Sequence, residues 1–259
     1  MRKTDYKHYI SLGSFCSVAL ELERIGLRET SAPFDWLITD FEGVIRAIDS
    51  HFSEWLEYKN LLQNEKFHCQ YKDTYYKCMF FHDFNKYDPL ESQIDSVRAK
   101  YQRRIDRFYD MIKEPTLFIR YLNDKKLENG KLEELLYIEE KYDYIIEVIK
   151  SFNPDNDILF IANEGAESDI INIHSVEKDK DDYVAREFLE KMPTLDRKLR
   201  ECNYENRNEN LKIFKKKKRK ERFNKSFIVR IIKSLKEKNK KEYIHDKQYK
   251  SLLNGTLRE

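Results

Sequence analysis

From Leu90 onward the chain lays down a helix and then a strand, and then repeats the pair. Ile94, Val97, Tyr101, Ile105, Phe108 and Ile112 recur at helical spacing along an otherwise charged stretch, 90–112. Thr116-Leu117-Phe118-Ile119-Arg120-Tyr121 follows as a strand. A second helical pattern, 132–150, leads into Asp157-Ile158-Leu159-Phe160-Ile161-Ala162, the clearest buried strand in the chain. Strands reached through long helices do not pair as tight hairpins; a parallel neighbour needs a crossover of roughly a dozen residues or more. The pattern therefore predicts an α/β fold, a mainly parallel sheet flanked by helices.

The flanking sequence fits that frame. Tyr9-Ile10-Ser11-Leu12 reads as a short strand stopped by Gly13-Ser14. A helix over 17–25 follows, with Val18, Leu22 and Ile25 on one face and Gly26 as its stop. Ser31-Ala32-Pro33-Phe34-Asp35-Trp36 is a turn feeding a helix over 40–50. Met79-Phe80-Phe81 is a short apolar run before His82-Asp83, and 170–174 is a further strand. With 40% hydrophobic and 14% aromatic residues, a chain of 259 can bury a sizeable core.

The net charge of +2 conceals a division. Residues 215–241 hold 14 Lys/Arg against 2 Glu, which leaves the remainder at −10. Within that basic stretch Phe223, Phe227, Ile228, Ile231, Ile232 and Leu235 form one apolar stripe. The expected organisation is an α/β domain over 1–203, a linker over 204–214, a basic amphipathic helix over 215–241 and an extension over 242–259. Such a helix suits the headgroup–acyl boundary of an anionic membrane, whereas nucleic acid offers no continuous apolar surface for its stripe. No run of 18 apolar residues occurs, and residues 1–8 are polar, so neither a span nor a secretory signal is expected. The expected location is cytoplasmic, peripheral on the inner membrane face.

The four cysteines, Cys16, Cys69, Cys78 and Cys202, form no CxxC and lack zinc-finger spacing. Free thiols in a reducing compartment follow. GxGxxG, P-loop, HExxH, EF-hand and GxSxG motifs are lacking, so no cofactor and no metal is expected.

Ligands of parallel sheets sit at the carboxyl ends of the strands. Ser14, Cys16, His82, Arg120, Asn163 and His174 fall at or just past such ends. Cys16 is the sharpest candidate. It opens a helix, whose free N–H groups and partial positive charge stabilise a thiolate and can hold an oxyanion. Its plain alternative is a small buried hydrophobe. Ser14 is a competing nucleophile, or simply a turn residue. His82 can take the thiol proton, with His174 as a second candidate base. Asp83 follows His82, but neighbours on an extended segment face opposite ways. Asp35, Asn123 and Asn163 are thus open alternatives for orienting the ring. Arg120 can bind a carboxylate or phosphate, or else pair with an acidic neighbour.

The run Ile10-Ser11-Leu12-Gly13-Ser14-Phe15-Cys16-Ser17-Val18-Ala19, then Leu27-Arg28 and Ser31-Ala32-Pro33-Phe34-Asp35-Trp36-Leu37, resembles a bacterial family of uncharacterised domains described as papain-like cysteine peptidases. Phe81-His82-Asp83-Phe84, Arg103-Arg104-Ile105 and Leu117-Phe118-Ile119-Arg120 extend the resemblance over about 8–175. It implies Cys16 as nucleophile and His82 as base, with Asp83 beside it; Ser14, Asp35 and Arg120 are then expected to bind substrate, a peptide or a glycan-linked group. The Gly-Ser-x-Cys turn also resembles the GSCFA family, whose fold is like that of SGNH-type esterases. Three functions follow as expectations: a cysteine peptidase, an SGNH-like esterase or acyltransferase in surface-polysaccharide assembly, and a non-catalytic binding module.

Overall fold

The computed structural model describes residues 6–128, 130–176 and 189. All of them lie in the first of the two compact units into which the chain divides, 1–195. The basic stretch 215–241 lies outside the described residues.

Four strands form a wholly parallel sheet in the order β1-β6-β7-β8: β1 (His8–Ser11), β6 (Thr116–Tyr121), β7 (Asp157–Asn163) and β8 (Ile173–Val176). The expected mainly parallel sheet is, however, only one of two. A second sheet, wholly antiparallel, runs β2-β5-β4-β3: β2 (Leu37–Thr39), β5 (Cys78–Phe80), β4 (Tyr71–Asp73) and β3 (Leu61–Gln63). Each of its strands is three residues long, too short to write a period-two pattern. Helices α1 (Ser17–Arg24), α2 (Phe41–Asp49) and α3 (Leu90–Met111) fall close to their expected bounds.

The amphipathic stripe of α3 is buried from Ile94 through Phe108, and Ile112 just beyond it is fully buried. It packs with Phe34, Phe52 and Trp55 into an aromatic centre; the Phe34 ring meets Phe52 at 5.5 Å and Phe108 at 6.3 Å. Burying side chains of that size is the main favourable term for such a domain, roughly 1.5–3 kcal/mol each.

The helix expected over 132–150 is two, α4 (Glu133–Glu140) and α5 (Tyr142–Phe152), broken at Lys141. Ile138 and Ile145 stand seven residues apart and keep helical phase, so the stripe hides the break. The break lets α4 aim Glu134 at β6 while α5 packs on β7. The strand expected over 170–174 begins at Ile173, with His174 level with Ile161.

The two sheets are joined where β1 ends. Its pairing with β6 continues beyond the strand: Leu12 N donates to Ile119 O at 2.9 Å, Tyr121 N to Gly13 O at 3.1 Å and Ser14 N to Tyr121 O at 3.3 Å. From the second sheet, Thr39 N donates to Ser14 O at 2.8 Å. Gly13 has φ +89°, and a Cβ there would lie 2.4 Å from Thr39 Oγ1 and 2.8 Å from Arg120 Nη1, so only glycine fits.

Beneath this turn lies Arg120, fully buried. Its Nε donates to Glu134 Oε1 at 2.6 Å. Nη1 donates to Leu12 O at 2.6 Å and Thr39 Oγ1 at 2.8 Å. Nη2 donates to Thr39 O at 2.8 Å and ion-pairs with Glu134. The second Glu134 oxygen accepts from Asn123 N at 2.8 Å. One side chain thereby ties β1, β2, β6 and α4 together. Burial pushes the Glu134 carboxyl up and the Arg120 guanidinium down, and their mutual attraction opposes both shifts. Glu134→Ala should cost about 3–5 kcal/mol, because it leaves a buried cation without its counter-ion. Glu134→Gln, which keeps an acceptor, should cost less; urea denaturation of both variants checks the order.

Candidate functional site

The turn from Gly13 to Cys16 sits at the carboxyl end of the first parallel strand. Cys16 is the N-cap of α1 and is partly exposed, with no side-chain hydrogen bond capping that end of the helix. Ser14, two residues earlier, is only 2% exposed, and its hydroxyl has no hydrogen-bond partner. Phe15 between them is buried and packs its ring on Tyr121 at 6.2 Å.

Tyr121 links this turn to the neighbouring strand ends. Its hydroxyl donates to Asn163 Oδ1 at 2.5 Å, and Asn163 Nδ2 donates to Asp124 Oδ1 at 2.5 Å. Asn163 and Asp124 line a cleft of about 580 Å³ between the segments that follow β6 and β7. Lys126, Leu135, Glu164 and Ala166 are among its other walls. The cleft thus occupies the edge where parallel sheets hold ligands, the same edge that carries Cys16.

The other anticipated residues are spread more widely. Asp35 is buried in the 33–36 turn, where Oδ2 accepts from Arg28 Nη2 at 2.7 Å, Arg28 Nε at 2.9 Å and Ala32 N at 2.9 Å. Burial pushes its pKa up against the pull of Arg28. The turn feeds β2, whose far residue Thr39 meets Ser14, so Asp35 stands at the opposite end of that strand. His82 lies beyond that same end: Phe80 is level with Leu37, and His82 is exposed on the bend after it. The carboxylate of Asp83 is engaged by α3, receiving the Tyr101 hydroxyl at 2.9 Å and ion-pairing with Lys100. Arg120 is not at a strand end, since β6 runs on to Tyr121; all its N–H groups are directed at protein acceptors. His174 is half-buried in β8, and burial pushes its pKa down, which favours the neutral imidazole that a base requires.

Tyr121, Thr39, Glu134 and Asp124 escaped the sequence reading. For Glu134 a signal existed: a guanidinium in the midst of Leu117-Phe118-Ile119 needs a buried counter-charge, and the adjacent acidic helix start at Glu133-Glu134 was at hand. Tyr121 and Thr39 read simply as strand residues.

Residues 7–161 match the family described as "Putative papain-like cysteine peptidase (DUF1796)". The chain belongs to this family. The match takes in Cys16, Asp35, His82, Asp83 and Arg120 but stops short of His174. The chain is also 29% identical over 185 residues to "Uncharacterized protein R408" of Acanthamoeba polyphaga mimivirus, a span of 62% of this chain and 79% of that protein. That relative is viral, so a bacterial label for the family goes unsupported. No solved structure matches. Among the described residues no cluster of metal-ligating side chains occurs, and no helix is long and apolar enough to cross a membrane.

The described cysteines differ in what they offer a reagent. Cys78 is buried, which pushes its thiol pKa well up, while Cys16 and Cys69 are partly exposed. Only Cys16 opens a helix. Iodoacetamide at neutral pH should modify Cys16 first, Cys69 more slowly and Cys78 only on unfolding. Peptide mass spectrometry over a time course checks the sequence; equal rates at Cys16 and Cys69 would remove the case for an activated thiol.

Proposed function

We propose that the protein is a cysteine hydrolase of peptidase type, with Cys16 as nucleophile and His82 as its base. The observation that carries this reading is the contrast within one turn: Cys16 is partly exposed at the start of α1, while Ser14 is buried. A helix amino end stabilises the thiolate, and a cleft at the same edge of the parallel sheet offers room for a peptide or glycan-linked acyl group. His82 lies inside the family match, which favours it over His174.

A second reading, an SGNH-like esterase or acyltransferase, draws support from the parallel sheet and from a Gly-Ser turn placed directly after its first strand. The two readings part at the nucleophile. A peptidyl vinyl sulfone should label Cys16, and His82→Ala should slow labelling on the order of 100-fold, as loss of a general base does. Cys16→Ala should abolish labelling with a stability change within about 1–2 kcal/mol. Slowing by His174→Ala instead would move the base to His174. Labelling of Ser14 by a fluorophosphonate, with Cys16 untouched, would favour the esterase. If neither probe reacts, the site is a binding module.

The basic stretch 215–241 fits peripheral attachment to an anionic membrane, each basic residue contributing on the order of 1 kcal/mol near such a surface. Flotation with phosphatidylserine vesicles should show binding weakened by salt and by Ile231→Asp. Retention on RNA without vesicle binding would refute the attachment.

A further inference from the structure

The cleft of about 580 Å³ at the ends of β6 and β7 falls within the roughly 300–1,000 Å³ of sites that hold small ligands. Its walls show which chemistry it suits. Leu135, Leu136 and Glu139 line it from α4, and Glu164, Ala166 and Glu167 line it from the stretch after β7. Leu135 and Ala166 are buried, so part of the lining is apolar. Leu132, Leu135, Leu136 and Glu139 follow one another at i, i+3, i+4 and i+7, one face of a helix. Glu139 thus continues a leucine stripe with a carboxylate, and it is partly buried there.

The acids of this cleft also differ from their neighbours. On α4, Glu133 pairs with Lys125, Glu134 with Arg120 and Glu140 with Lys141. Glu139, Glu164 and Glu167 have no ion-pair partner among the described residues. With Asp124, the lining holds four carboxylates against Lys126 and Lys131, a surplus of two negative charges. An anionic ligand would meet that surplus. A sugar ring stacks by preference on aromatic faces, and no described lining residue is aromatic. A ligand with an apolar stem and a cationic head suits both features, and among peptide groups lysine and arginine side chains are built that way. The cleft is also tied to the nucleophile turn. The Phe15 ring, next to Cys16, packs on Tyr121, whose hydroxyl donates to Asn163 in the cleft wall.

We propose that this cleft is a specificity pocket for a lysine or arginine side chain of a peptide: the stem lies along Leu135, Leu136 and Ala166, and Glu139, Glu164 and Glu167 hold the cationic end. The assignment deepens the peptidase reading and rests on it for its catalytic meaning.

The test uses the full chain carrying Cys16→Ala, so that bound peptide is not turned over. The probes are rhodamine-labelled pentapeptides that differ only at the central residue: lysine, norleucine or glutamate. Norleucine keeps the apolar stem and drops the charge. In anisotropy titrations the lysine peptide should bind about tenfold more tightly than the norleucine peptide, and the glutamate peptide most weakly. Added salt should reduce the lysine preference. The basic stretch 215–241 attracts the glutamate peptide and so cannot create this order. Glu139→Gln/Glu164→Gln/Glu167→Gln should abolish the lysine preference and leave the norleucine affinity within about twofold. Glu164→Lys/Glu167→Lys, confined to two exposed positions, should invert the order of lysine and glutamate.

Equal affinity for the lysine and norleucine peptides would overturn the pocket, as would no binding of the lysine peptide at millimolar concentration. A lysine preference that survives both sets of substitutions in folded protein would overturn it too, because another acidic surface would then be responsible. Peptidyl vinyl sulfones with lysine or norleucine, applied to the wild type, separate this from the nucleophile reading. Cys16 labelled at equal rates by both sinks the pocket alone. Lysine-selective binding beside an unreactive Cys16 sinks the nucleophile and leaves a pocket for basic side chains.

Discussion

The fold hangs on one buried cation. Arg120 enters the centre of a parallel sheet from β6 and is met by Glu134 from α4, by Leu12 from the end of β1 and by Thr39 from β2. Taking a guanidinium out of water is expensive, and the expense is tolerable only when each N–H finds an acceptor. That requirement fixes several distances at once. The second sheet must lie against the end of β1, α4 must start where Glu134 can reach inward, and Gly13 must have no side chain. An apolar residue in place of Arg120 would leave the Leu12 and Thr39 carbonyls and the Glu134 carboxylate seeking other partners.

The candidate site inherits this constraint. The turn from Gly13 to Cys16 lies directly on the arginine, pinned by Tyr121 on one side and Thr39 on the other. A nucleophile needs a fixed position more than it needs any particular fold, and a turn tied to two sheets provides one. The arrangement also differs from papain itself, in which the cysteine opens a long helix in a separate lobe. Here α1 has eight residues and follows a strand. The family description and the architecture are thus separate facts: membership rests on the match over 7–161, while the parallel sheet sets where Cys16 stands.

The two candidate bases are less tightly held to that centre. His82 leaves the β2–β5 ladder at the end where Asp35 lies, and its neighbour Asp83 is committed to Lys100 and Tyr101. His174 sits on β8, level with Ile161 and two pairs short of the β7 end. His82 follows a strand of the second sheet and His174 lies in the parallel one, so labelling kinetics distinguish the two candidates.

The sequence alone determined the elements that bury long stripes or long apolar runs. The stripe of 90–112 and the strands at 116–121 and 157–162 were legible because each repeats one side-chain environment over several residues, and periodicity reports exactly that kind of burial. Cys16 at a strand-to-helix turn was legible for the same local reason. Tertiary structure decided what depends on partners distant in the chain. Three-residue strands of the second sheet gain their identity from cross-strand pairing, and the break at Lys141 answers to where Glu134 must reach. Arg120 shows the division most clearly. Its place in an apolar strand is local information, but whether its charge faces a ligand or a buried glutamate is set by a helix start 14 residues onward and a threonine 81 residues back, and no local pattern encodes those distances.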